Sequence, residues 1–98
     1  LPLHPPTLLL LPVSPNPFRS GTEILFAVPQ DGPADLAIFD VTGRRVRTFH
    51  EGATLSRGPY QLFWDGRDDR GVHAGNGVYT LRLRSGGETR TERLVYLR

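Results

Sequence analysis

The chain contains no cysteine, and its twelve basic residues include no lysine; all twelve are arginine. Without cysteine, a disulfide framework, a thiolate zinc site and thiol catalysis are excluded. No apolar run approaches the roughly 18 residues that a membrane-spanning helix requires. The most apolar stretch, Leu8–Leu11, is bracketed by Pro5, Pro6 and Pro12. No basic segment precedes it and no small-residue cleavage site follows, so it does not read as an intact secretory signal. No helical periodicity survives anywhere, and no internal repeat is visible. These absences leave a small globular domain built from strands.

The residues that are present support this. A chain of 98 residues buries roughly 60–65% of its unfolded surface, enough for one core. Nine aromatics fill it, while 11 Gly and 9 Pro punctuate the chain as short strands and many turns do. Ten carboxylates nearly balance the arginines, leaving +2. The basic residues are spread over several segments and interrupted by Glu88 and Glu92, so no nucleic-acid footprint is read.

Residues 1–14 are expected to form a Pro/Leu-rich linker or an N-terminal strand arm, with residues 15–98 as the folded domain. Thr7–Val13 can act as a strand, and Pro at both ends places such a strand at a sheet edge. The linker-like start suggests a fragment or a processed form. Thr22–Val28 alternates Thr22, Ile24, Phe26 and Val28 with Glu23, Leu25 and Ala27, as a sandwich strand does. Ala34–Asp40 and Arg45–Phe49 flank Asp40-Val41-Thr42-Gly43-Arg44. That run predicts a hairpin with Gly43 left-handed and the Asp40 carboxylate accepting turn amides. Glu51–Pro59 is expected to be a loop, Tyr60–Asp65 a strand, and Gly66–Gly77 a long turn. Val78–Arg84 and Thr89–Leu97 complete the set around a loop at Ser85–Glu88. About seven short strands with turns every 8–12 residues or so describe an immunoglobulin-like antiparallel β-sandwich. Phe26, Ile38, Val46, Trp64 and Tyr79 are the expected core anchors.

Few residues suggest chemistry. Asp65, Asp68 and Asp69 lack the alternating spacing of a calcium loop and no Glu completes a ligand set. With Gly66, Gly71 and Gly77 they read as turn residues capping backbone amides. His4, His50 and His73 are scattered without metal-ligand spacing. The serines all fall in turns, and no helix follows Gly71, Gly75 or Gly77 to hold a phosphate. Trp64 and Tyr60 read as core rather than as a sugar platform. No enzyme, cofactor or metal is therefore expected.

Four ordered motifs carry a resemblance: Asn16-Pro17-Phe18, Asp40–Val46, Trp64–Gly71 and Gly75-Asn76-Gly77-Val78-Tyr79. Their series resembles the immunoglobulin-like domain shared by the flagellar hook-capping protein and C-terminal domains of secreted bacterial proteins, including type IX secretion sorting domains. The resemblance covers about Pro15–Arg98. It implies a non-catalytic accessory domain of an extracellular or cell-surface protein, used for anchoring, sorting or spacing. Its partners would be proteins: the parent chain, the secretion machinery or identical subunits. The ending Arg93-Leu94-Val95-Tyr96-Leu97-Arg98 departs from the Lys-rich tail usual in type IX signals. An alternative from another class is a self-assembling filament subunit. There, Thr7, Leu8, Leu9, Leu10, Leu11 and Val13 would complete a neighbour's sheet by strand addition. The same strand can equally be the first of its own sandwich.

Overall fold

The computed structural model describes residues 7–98. His4 and the rest of residues 1–6 lie outside the described residues. Seven strands follow one another with no helix among the described residues: β1 (Leu9–Leu10), β2 (Thr22–Val28), β3 (Gly32–Phe39), β4 (Arg45–Leu55), β5 (Gly58–Trp64), β6 (Gly77–Ser85) and β7 (Glu88–Tyr96). They form two antiparallel sheets, ordered β1-β2-β5 and β4-β3-β6-β7. The chain changes sheet at β2–β3, β4–β5 and β5–β6. The result is an immunoglobulin-like sandwich.

Period-two alternation decides which side chains meet between the sheets. Ile24, Phe26 and Val28 from β2 face Leu36 and Ile38 from β3 and Leu81 and Leu83 from β6, all essentially inaccessible. Trp64 lies at the centre of one end, fully buried. Around it pack Phe18, Tyr79 and Tyr96, with ring centroids 5.4, 5.5 and 6.0 Å away. The indole N–H donates to the Arg67 carbonyl at 2.9 Å, so this large ring is buried with its polar group satisfied. Val46 is also buried and Phe49 packs against the cluster.

The expected loop at Glu51–Pro59 is corrected by the structure. β4 runs on to Leu55 and β5 begins at Gly58, leaving only Ser56 and Arg57 between them. Gly52 interrupts the strand with φ +64°, and its N–H donates to the Asp35 carboxylate at 2.7 Å. That bond compensates a break in the ladder, so pairing resumes as Ala53–Leu55 against Gly32–Ala34. The last hairpin is the tight one expected at Ser85–Glu88, with its two end residues paired. β6 and β7 pair to Ser85↔Glu88, joined by Gly86 and Gly87 at φ +59° and +81°, the signature of a two-residue turn.

Candidate interaction site

The N-terminal strand is the first expected site, and its own sandwich holds it. Leu9 and Leu10 pair with Ala27 and Phe26, and Leu11 N–H donates to the Leu25 carbonyl at 3.0 Å. Leu8 and Val13 are buried in the core. Leu10 packs against that core, Leu11 is half-buried and Thr7 is exposed. A clasp fastens the start of the strand to the last hairpin. The Thr7 hydroxyl donates to Glu88 Oε1 at 2.6 Å, and Leu8 N–H donates to Glu88 Oε2 at 3.2 Å. Arg90 donates to both the Thr7 hydroxyl and Glu88, at 2.9 and 3.1 Å. The Thr7 hydroxyl, the Leu8 amide and Arg90 hold the Glu88 carboxyl below its usual pKa.

Beyond Pro12 the chain crosses between the sheets. Ser14 bridges to Glu23 of one sheet, and Phe18 bridges in parallel to Tyr96 of the other. Asn16 ties the crossing segment to β7: its amide donates to the Arg93 carbonyl at 2.8 Å while its oxygen accepts Val95 N–H at 2.9 Å. Phe18 adds a backbone bond on each side, to Val95 and Leu97. The Asn16-Pro17-Phe18 motif therefore covers the outer edge of β7.

The Asp40–Gly43 turn is organised by a single carboxylate. Asp40 Oδ1 accepts the N–H groups of Thr42 and Arg44, at 2.9 and 3.0 Å, and the Thr42 hydroxyl at 2.6 Å. The Thr42 hydroxyl is the foremost cause lowering the Asp40 pKa, reinforced by the Arg44 and Thr42 amides and the Arg44 guanidinium. Gly43 adopts φ +87°.

The long turn after β5 divides its three carboxylates among separate tasks. Asp65 accepts Arg67 N–H at 3.0 Å, and Asp68 accepts those of Arg70 and Val72 at 2.9 and 3.0 Å. Asp69 reaches across to β4. Its own N–H donates to the Val46 carbonyl at 2.9 Å, and its carboxylate accepts Thr48 N–H at 2.8 Å. It thus behaves as a one-residue strand against the β4 edge. The three carboxylates do not converge, and no cluster of three metal-ligating side chains occurs among the described residues.

Gly66 has φ +80° and lies beneath Tyr96, whose Cζ would be 2.5 Å from any Cβ added there. Gly71 and Gly77 adopt φ +83° and +150° with open space beside them. Tyr79 donates its hydroxyl to the Gly75 carbonyl, the arrangement known as a tyrosine corner in immunoglobulin-like sandwiches.

The histidines are far from a shared site. His50 stands edge-on to Phe26, while His73 Nδ1 meets the Tyr96 hydroxyl at 3.0 Å. Desolvation, followed by the Arg67 and Arg98 charges, lowers the His73 pKa. Sequence reasoning named Glu88, Asn16 and Asp69 but missed the long-range bonds each makes. Their partners lie 80, 79 and 21 residues away, where no local pattern points.

The FlgD Ig-like domain family model matches residues 14–88. The chain belongs to that family. A search of curated proteins gives no match. Among solved structures, PorZ of Porphyromonas gingivalis is described as an essential bacterial surface component of the type IX secretion system. It aligns at 23% identity and TM-score 0.63, over 91% of this chain and 11% of PorZ. Dimeric latent PorU from the same organism aligns at 22% identity and TM-score 0.66, over 92% of this chain and 9% of PorU. FlgD from P. aeruginosa aligns at 15% identity and TM-score 0.56, over 97% of this chain and 77% of that FlgD. At these identities the likeness is one of fold. The chain spans about a tenth of the length of PorZ and PorU.

Proposed function

We propose that this chain is a non-catalytic accessory domain of an exported bacterial protein, acting at the cell surface or outside the cell as a C-terminal anchoring, sorting or spacer module. The observation that carries this reading is family membership combined with the way the side chains are used. Trp64, Tyr79, Tyr96, Phe18 and Phe26 are all spent on packing. The turn carboxylates are spent on backbone amides. No helix among the described residues is long and apolar enough to cross a membrane. Relatives that belong to secretion and flagellar assemblies support protein partners: the parent chain, an export machinery or identical subunits.

A fusion of the full chain behind a monomeric carrier, expressed in a bacterium with a type IX system, tests the reading. Domain-dependent appearance of the carrier on the surface supports sorting or anchoring. Retention of a fusion whose Ig-like domain is folded overturns both and leaves the spacer role. A second reading is a filament subunit in which Thr7–Val13 completes a neighbour's sheet. It draws on the brevity of β1, whose ladder is two residues long.

A further inference from the structure

Among the four sheet edges, β5 is exceptional. The β4 edge is met by Asp69, and the β7 edge by Asn16 and Phe18. β1 is only two residues long and is closely followed by Pro12. β5 runs for seven residues, Gly58-Pro59-Tyr60-Gln61-Leu62-Phe63-Trp64, without a single charged side chain. Its partner β2 lies on one side, and no backbone bond is made on the other among the described residues. Natural sheets blunt open edges with charge, bulges or covering segments, because free N–H and C=O groups are templates for pairing. Among the described residues, Pro59 is the one blunting device on this edge.

The register identifies which groups are free. Leu25 offers its carbonyl to Leu11, and Glu23 exchanges bonds with Ser14, so the odd-numbered residues of β2 face β1. Ile24 and Phe26 therefore face β5 and bond Leu62 and Tyr60. Pro59, Gln61 and Phe63 are left pointing outward, with Gln61 central. Phe63 is 61% exposed, its ring lying over Gly21.

We infer that β5 is a self-recognition edge that pairs antiparallel with β5 of a second copy about a two-fold axis through Gln61. A two-fold interface must be self-complementary, and this strand is so about its midpoint. Gln61 would exchange both backbone bonds with its symmetry mate, and each Phe63 N–H would reach the opposite Pro59 carbonyl. The missing Pro59 N–H removes a bond at each end without breaking the register. Phe63 would lie against Pro59 on the outer face, and the half-buried Tyr60 and Leu62 would meet on the inner face. No like charges would be opposed. The outcome is one continuous sheet, β1-β2-β5 joined to its copy. This pairing closes on itself, so it adds to the accessory-domain reading and does not depend on it. A single strand pair buries less than a standard interface, so association is weak.

Sedimentation equilibrium of the full chain from about 1 μM to about 1 mM spans the relevant affinities. A monomer–dimer equilibrium without larger species is expected. Gln61→Lys opposes two cations at the axis while retaining Glu23 as neighbour, and should shift the equilibrium to monomer with circular dichroism unchanged. Because the natural chain lacks cysteine, Gln61→Cys supplies a second readout. Mild oxidation should link it into a covalent dimer, and Pro59→Cys should link far less. A monomer throughout the range, a dimer indifferent to Gln61→Lys, or equal linking of both cysteine variants would overturn the inference.

Discussion

Trp64 shows how a single side chain ties this sandwich together. It is fully buried, touches aromatics from the crossing segment and the second sheet, and bonds the turn that follows its own strand. Trp64→Ala should cost about 3–5 kcal/mol, the usual range for a buried aromatic, measurable by urea unfolding. Gly66 and Gly43 provide a matched comparison. Both have positive φ, but only Gly66 is also pressed by a neighbouring ring. Gly66→Ala should therefore lower the melting temperature more than Gly43→Ala. Equal losses would mean that Tyr96 moves aside freely. The Asp40 hairpin and the Trp64–Tyr79 alternation were legible in the sequence because turn chemistry and period-two patterning act over a few residues. Tyr96 resting on Gly66 and His73 was not legible, since those contacts span 30 and 23 positions.

Strand edges and their covering segments govern behaviour at the level of elements. Asp69 blocks the β4 edge with one amide and one carboxylate. Asp69→Asn keeps an acceptor for Thr48 N–H, whereas Asp69→Ala removes it. The alanine variant should lose about 0.5–1.5 kcal/mol, the net worth of a typical hydrogen bond, and the asparagine variant less. The Arg47 guanidinium also lies 3.9 Å from the Asp69 carboxylate, so equal losses would assign the effect to that ion pair instead. The clasp on β1 has its own pH signature. The Glu88 pKa is lowered in the folded state, so its contribution to stability is present above the ordinary glutamate value of 4.5 and lost as pH falls through the folded value. Thermal melts through that window should fall more steeply for the natural chain than for Glu88→Gln. The number of strands and their places along the chain were legible at this scale, whereas their order within the two sheets was not. The continuation of β4 past Gly52 was not, because Asp35, its compensating acceptor, is 17 residues away.

For the whole molecule, several groups act on pH in one direction. The pKa values of Asp40, Asp68, His73 and Glu88 are all lowered by folding. The unfolded chain therefore takes up protons first, and stability declines on acidification, beginning near the ordinary histidine pKa of about 6.5. Tyr79 acts at the other limit. Desolvation raises its pKa, so stability declines again as pH rises above about 10, the unfolded tyrosine value. A broad maximum between these limits is expected in a pH series of unfolding midpoints.

The central claim is that the N-terminal strand belongs to its own sandwich, fastened there by Leu8, Val13 and Glu88, so that the chain is a self-contained module. Sedimentation velocity combined with negative-stain microscopy of the purified full chain tests this most directly. The account predicts a compact particle of one domain, with at most a dimer at high concentration. Filaments that disappear when residues 1–13 are removed would contradict it, and would make Thr7–Val13 an arm that serves a neighbour.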